Sequence, residues 1–306
     1  MSVIEGLAGS LLAVLEHPRW WILALAGYLV RGGLLLLLFP LIPIPTTAAL
    51  ANGLGPTLVG FVFGGASPSF IVLVATVTGA LLLCLVVGGL AGAGLDLALI
   101  RSAASTEPLA DGPAPDQAGP LRAAVARWLA HVPTAAVVAW GASPLVDAAY
   151  QELIHPGDPA LPVPVRVILR VPQVVALLLT AWALGEAVGG LAVRHLAWGA
   201  DIGQSLIRAL RSLLRPSGIL VLILTDLAVA AAIAVGWAAL AAAYDLLRIT
   251  VRDSDAAAVV ALALGLLSIA WLGALAISAI GAAWRSAAWT VELGRRQTRT
   301  NGPVAG

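Results

Sequence analysis

Three charged residues of this 306-residue chain sit where the surrounding sequence is almost wholly apolar. Arg31 lies eleven residues past Trp20, the start of a long apolar run. Glu186 precedes Arg194 by eight residues, and Asp226 follows Gly218 by eight. At about 1.5 Å of rise per residue, those offsets are depths of about 16 Å and about 12 Å along a helix. A guanidinium held at such depth in hydrocarbon costs from about 2.5 to more than 10 kcal/mol unless it is paired or wetted. A buried cluster of Arg31 with Glu186, Asp226 or both is therefore expected. Such a cluster would relay a proton or ion, anchor a polar headgroup, or act as an ion pair that fixes helix register.

Other acids have weaker claims. Asp147 follows Pro144 near the outer end of an apolar segment and is itself followed by Gln151 and Glu152. It marks either a cavity mouth or a helix end at the membrane interface. Asp253-Ser254-Asp255 resembles the acidic pair by which some sugar transferases hold a metal, but capping of the next helix explains it equally well. Asp147 with Glu152, or Asp253 with Asp255, are the acid pairs open to a lipid-modifying enzyme. The histidines His17, His131, His155 and His195 lie at segment ends, and none has zinc-like spacing to another ligand. No Gly-x-Ser-x-Gly, His-Glu-x-x-His or Asp-Gly-x-x-Ala-Arg pattern occurs. No metal and no cofactor is expected.

The elements that must position these residues follow from composition. Hydrophobic residues make up 60% of the chain and charged ones 11%, far from the roughly 25% charge of a soluble domain. Mean hydropathy is +0.98. So little charge excludes a soluble fold, a disordered chain and a nucleic-acid binder. The class is an all-α polytopic membrane protein.

A spanning helix needs about 20 apolar residues, and six segments qualify: Trp20–Phe39, Ser69–Leu95, Leu129–Tyr150, Val165–Val193, Gly218–Ala243 and Ala256–Ala283. Amphipathic interfacial helices are expected over Met1–Pro18, Leu121–Ala130 and His195–Leu214, the last with Ile207, Leu210, Leu213 and Leu214 opposite Arg208, Arg211 and Arg215. Met1–Pro18 lacks a basic lead and carries Glu5 and Glu16, so it does not read as a cleavable signal. The Pro- and acid-rich stretch 102–120 reads as a flexible cytoplasmic linker between residues 1–101 and 121–306. The tail past Leu293 reads as disordered.

All 17 basic residues are arginine. Twelve fall on one side of the six spans, four (Arg166, Arg170, Arg248, Arg252) on the other, and Arg31 within a span. That bias places both termini in the cytoplasm, and the chain in a bacterial inner membrane. The uncharged loop Pro40–Pro68 then lies outside, against the outer leaflet or folded back into the bundle. Trp20, Trp21, Trp128, Trp198, Trp284 and Trp289 form an expected belt at the cytoplasmic boundary. Trp140, Trp182, Trp237 and Trp271 are expected to pack inside. Gly88, Gly89, Gly92 and Gly94 make a small-residue face for close helix packing. The lone Cys84 reads as a small buried hydrophobe.

Internal repetition is visible. His17-Pro18, His131-Val132-Pro133 and Arg215-Pro216 each lead into a span. Gly92, Gly190 and Gly281 are each followed four residues later by a charge, Asp96, Arg194 and Arg285. Either the chain holds three copies of one hairpin unit or these are common features of membrane boundaries.

Two stretches, Gly203–Pro216 (GQSLIRALRSLLRP) and Ala283–Leu293 (AWRSAAWTVEL), resemble bacterial six-span integral membrane proteins grouped with the membrane domain of glycerophosphodiester phosphodiesterases. The likeness covers the last third of the chain. It implies an integral membrane protein without catalytic residues of its own, and the soluble phosphodiesterase domain is absent from this sequence. The functional expectation is a scaffold or accessory subunit that binds membrane lipids, partner membrane proteins or a second copy of itself. The alternatives are a transporter or flippase using the Arg31 cluster, and an intramembrane lipid-modifying enzyme.

Overall fold

The computed structural model describes residues 3–33, 41, 52, 64–65, 67–105, 115, 118–155, 157, 163–253 and 256–300. The long elements among them are all helical. They are α1 (Val3–Glu16), α2 (Pro18–Tyr28), α3 (Pro68–Ala104), α4 (Pro120–Ala130), α5 (Val132–Ile154), α6 (Val163–Arg170), α7 (Pro172–Ala197), α8 (Ile202–Leu213), α9 (Pro216–Asp253) and α10 (Ala257–Thr300).

Local chemistry sets the boundaries. Proline opens α2 at Pro18, α7 at Pro172 and α9 at Pro216, where its fixed φ suits a first turn and its missing N–H costs nothing. Asp201 caps α8, its side chain accepting from the Gln204 N–H at 2.7 Å. Helix α7 ends in a Schellman turn: Gly199 takes φ +91°, and the Ala200 N–H reaches the His195 carbonyl at 3.0 Å. Helix α2 ends in a π turn over Leu29–Gly33, kinked at Gly32 with φ +98°.

Five helical stretches are long and apolar enough to cross a membrane: Phe70–Ala104, Val132–Glu152, Pro172–Ala197, Pro216–Asp253 and Ala257–Arg295. They correspond to the second through sixth expected spans. The first is seen as α2 and its π turn as far as Gly33, and its remaining residues lie outside the described ones. From Ile71 to Val87 every residue of α3 is exposed. Surface of that extent and apolarity has no place in water, and the chain is an all-α membrane protein.

Several expectations need correcting. The fourth span is not one rod from Val165: it breaks at Val171, where Pro172 withholds its N–H, so that Arg166 and Arg170 ride on the separate α6. The helix expected over His195–Leu214 begins at Ile202, because Gly199 ends α7 first. The tail past Leu293 stays helical as far as Thr300. The loop Pro40–Pro68, most of the 102–120 linker and Ser254-Asp255 lie largely or wholly outside the described residues.

The chain divides into two compact units. The first comprises Met1–Ile42, Gly88–Trp128 and Ala187–Gly306. Its main core gathers Leu97, Ile100, Ala123, Leu196, Ala209 and Trp289 from α3, α4, α7, α8 and α10. A second cluster joins Val14, Trp20, Ala24, Leu99 and Ala283. Trp20 donates to Ser102 Oγ at 2.7 Å, and Trp284 to the Leu7 carbonyl at 3.1 Å, tying α2 to α3 and α10 to α1. The second unit, Pro43–Val87 with Leu129–Glu186, has a small core of Ala148, Val171 and Val174. Gly141 admits Val174 there, since a Cβ at Gly141 would lie 2.6 Å from its Cγ1.

Of the tryptophans expected at the boundary, Trp20 and Trp289 are buried within the protein. Of those expected to pack inside, Trp271 packs against a core cluster, whereas Trp140 and Trp182 are exposed. Cys84, expected to be buried, is exposed, and His195 is buried.

Candidate functional site: two arginine–carboxylate clusters

In the first unit the charges gather around α3, α7 and α10. Gly88, Gly89 and Gly92 of α3 form a groove for bulky neighbours. A Cβ at Gly92 would lie 3.0 Å from Arg31 Cγ, and one at Gly89 would lie 2.7 Å from the Trp128 indole nitrogen. One turn beyond Gly92 stands Asp96. Its Oδ2 accepts from Arg31 Nη1 at 2.9 Å and from Arg127 Nη2 at 2.5 Å. Arg31 Nε also donates to the Gly27 carbonyl at 2.9 Å, just ahead of the kink.

The neighbouring Arg194 is 5% exposed. It donates to neutral acceptors: the Gly190 carbonyl (2.7 Å), the Ser286 carbonyl (2.9 Å), Ser286 Oγ (2.8 Å) and Thr290 Oγ1 (3.2 Å). Its guanidinium lies 5.6 Å from the centroid of the Trp289 ring, and that of Arg285 lies 4.9 Å from it, both in cation–π range. The Trp289 N–H in turn donates to the fully buried Thr225 at 3.1 Å. Arg285 Nε pairs with Asp226 Oδ1 at 2.6 Å. Asp96, Arg127, Arg285 and Arg31 all lie near enough for their charges to bear on Arg194. Arg31 and Arg127 thus meet Asp96, Arg285 meets Asp226, and Arg194 is held by neutral oxygens.

The second unit holds a different arrangement. Glu152, 1% exposed, ends α5. Oε1 accepts from the Gly157 N–H at 2.8 Å and faces Arg166 Nε at 3.0 Å. Oε2 accepts from Arg170 Nε at 3.0 Å. The same arginines reach back to the loop, Arg166 to the Gly157 carbonyl at 3.1 Å and Arg170 to the His155 carbonyl at 2.7 Å. One carboxylate therefore fastens α5, the following loop and α6.

The expected partnerships of the three deep charges are corrected. Arg31 is met by Asp96, Asp226 by Arg285, and Glu186 by His131, whose Nε2 lies 3.3 Å from Oε1. Residue counts along a helix give height but not direction around it, and direction decides which side chains meet. Asp147 is exposed on α5, and among the described residues it forms no ion pair. The sequence reading passed over Asp96, Arg127 and Arg194 as site residues. A signal for Asp96 was present: Gly88 and Gly92 continue at spacing four to residue 96, so the glycine face ends in a carboxylate. Nothing in the sequence marks Arg194 as buried among neutral oxygens.

Among the described residues no group of three or more His, Cys, Asp or Glu side chains is placed to hold a metal ion. No family model, curated protein or solved structure matches the chain, so the reading of these clusters rests on their own geometry.

Proposed function

We propose that this chain is a non-enzymatic integral membrane protein, a scaffold or accessory subunit that binds membrane lipids or partner membrane proteins. One observation carries the reading. Helix α8 is fastened to the bundle by Ser205, Ala209, Ser212 and Leu213, while Ile207 and Leu210, with Leu214 just past its end, stay exposed beside Arg208, Arg211 and Arg215. An apolar strip flanked by arginine is the surface by which a helix lies in a leaflet of anionic lipid. The arginine bias puts that leaflet, and both termini, on the cytoplasmic side of a bacterial inner membrane. The resemblance to the six-span proteins fits the same reading.

Purification in mild detergent tests it. A defined lipid or partner protein is expected to stay with the chain. A monodisperse chain that retains neither overturns the reading.

One observation favours transport instead. A span broken at Leu29–Gly33, with Arg31 in the break, is the kind of interruption transporters build around a substrate. Flux into liposomes unaffected by Arg31→Gln and Asp96→Asn would remove that alternative.

A further inference from the structure

Helix α6 is amphipathic in the reverse sense. Arg166, Val167 and Arg170 turn toward the protein. Both guanidiniums meet Glu152, and Val167 packs on the core of Ala148, Val171 and Val174. Val165, Ile168 and Leu169 turn outward and are 37%, 42% and 61% exposed. A helix that borders water keeps its charges outside and its apolar stripe inside. Here Arg166 is buried. Arg170 is the more open of the two arginines, yet its guanidinium bonds the His155 carbonyl as well as Glu152.

The same contacts fix the level of α6. Glu152 is the last residue of the candidate span Val132–Glu152, and Arg170 stands two residues before the next, Pro172–Ala197. The carboxylate that fastens α6 therefore holds it between the ends of two spans, at the edge of the hydrocarbon. Exposed apolar residues continue on either side along the chain, with Tyr150 and Ile154 closing α5 and Leu177 and Leu179 following in α7. Guanidiniums are tolerated at such a level when a carboxylate pairs them and carbonyls take their other donors.

We propose that the Val165, Ile168 and Leu169 face of α6 lies among the acyl chains of the bordering leaflet, and that the Glu152 clamp turns the arginines of α6 away from them. The occupant is lipid hydrocarbon rather than a headgroup, since those three side chains offer neither charge nor hydrogen-bond donor. The surface is separate from that of α8, where arginines flank the apolar strip, and it is indifferent to headgroup charge. It goes beyond the scaffold reading and depends only on insertion of the chain in a membrane.

The test measures depth in reconstituted full-length protein. An environment-sensitive fluorophore is placed on the native Cys84 of α3, which is exposed, or at position 168 in C84S/I168C. Two quenchers are compared: phospholipid bearing a nitroxide on its acyl chain, and iodide on both sides of the vesicle. Both labels are expected to lose emission to the nitroxide lipid and to keep it in iodide, equally in phosphatidylcholine and phosphatidylglycerol vesicles. E152Q, added to C84S/I168C, should expose position 168 to iodide, because its freed guanidiniums draw α6 toward water.

Iodide quenching at position 168 in the parent protein overturns the proposal. Shielding from both quenchers means that protein covers α6, which overturns lipid as the occupant. Acyl quenching confined to phosphatidylglycerol vesicles overturns the indifference to headgroup. A label at 168 unmoved by E152Q overturns the role of the clamp. Should E152Q fail to fold, labels in C84S/V165C and C84S/L169C decide, and iodide quenching of either overturns the proposed face. Loss of acyl quenching at Cys84 as well would overturn membrane insertion itself, whereas loss at position 168 alone leaves it standing.

Discussion

Around Glu152, two guanidiniums and a backbone N–H close on a single carboxylate, and each guanidinium also reaches a loop carbonyl, so the contacts join elements that follow one another in the chain. Around Arg194 the contacts join helices far apart in the chain: Asp96 of α3 meets Arg31 and Arg127, and Arg194 of α7 donates to Ser286 and Thr290 of α10. The first cluster fastens a local turn and the second ties distant helices together, although both use the same residue types.

Substitutions can break this contrast. The largest effect is expected from Asp96→Asn. It leaves Arg31 and Arg127 without their shared, part-buried acceptor, and the loss of a hydrogen bond to a charged group costs about 1.5–3 kcal/mol. The check is the fraction of monodisperse protein recovered and its melting temperature.

Next comes Gly92→Leu. It fills the groove that seats the Arg31 stem, with an overpacking cost of about 1–3 kcal/mol. The melting temperature should fall accordingly.

A local effect is expected from Glu152→Gln. Amide exchange should accelerate between His155 and Arg170 while α10 keeps its protection. Faster exchange in α10 as well would erase the distinction between the clusters. Smallest of all is Asp147→Asn, exposed and without an ion pair among the described residues. Its melting temperature should match wild type, within about 0.5 kcal/mol of stability.

What could be read in the sequence was what depends on neighbours along the chain. The proline lead-ins at Pro18 and Pro216, the helices over α1 and α4, and the apolar runs of α3, α5, α9 and α10 follow from composition and first-turn geometry. The partners of Arg31 and Asp226 did not, because they depend on which way each helix is turned. The tryptophans show the same limit. Belt statistics assume lipid on one side and water on the other, yet Trp289 is drawn inward by Thr225 and two arginines. The repeated Gly-to-charge spacing told more than its pattern promised, since Asp96, Arg194 and Arg285 belong to one electrostatic neighbourhood.

Helix α10 runs unbroken for 44 residues, about 66 Å at 1.5 Å each, roughly twice the thickness of the hydrocarbon it crosses. Arg285 and Trp289 sit on it 15 and 11 residues before its last residue, Thr300. A stiff rod transmits tilt with little bending. The Trp289 ring, the Arg285 guanidinium and the Ser286 and Thr290 oxygens that meet Arg194 all ride on this rod, so the contacts that enclose Arg194 shift together whenever α10 tilts.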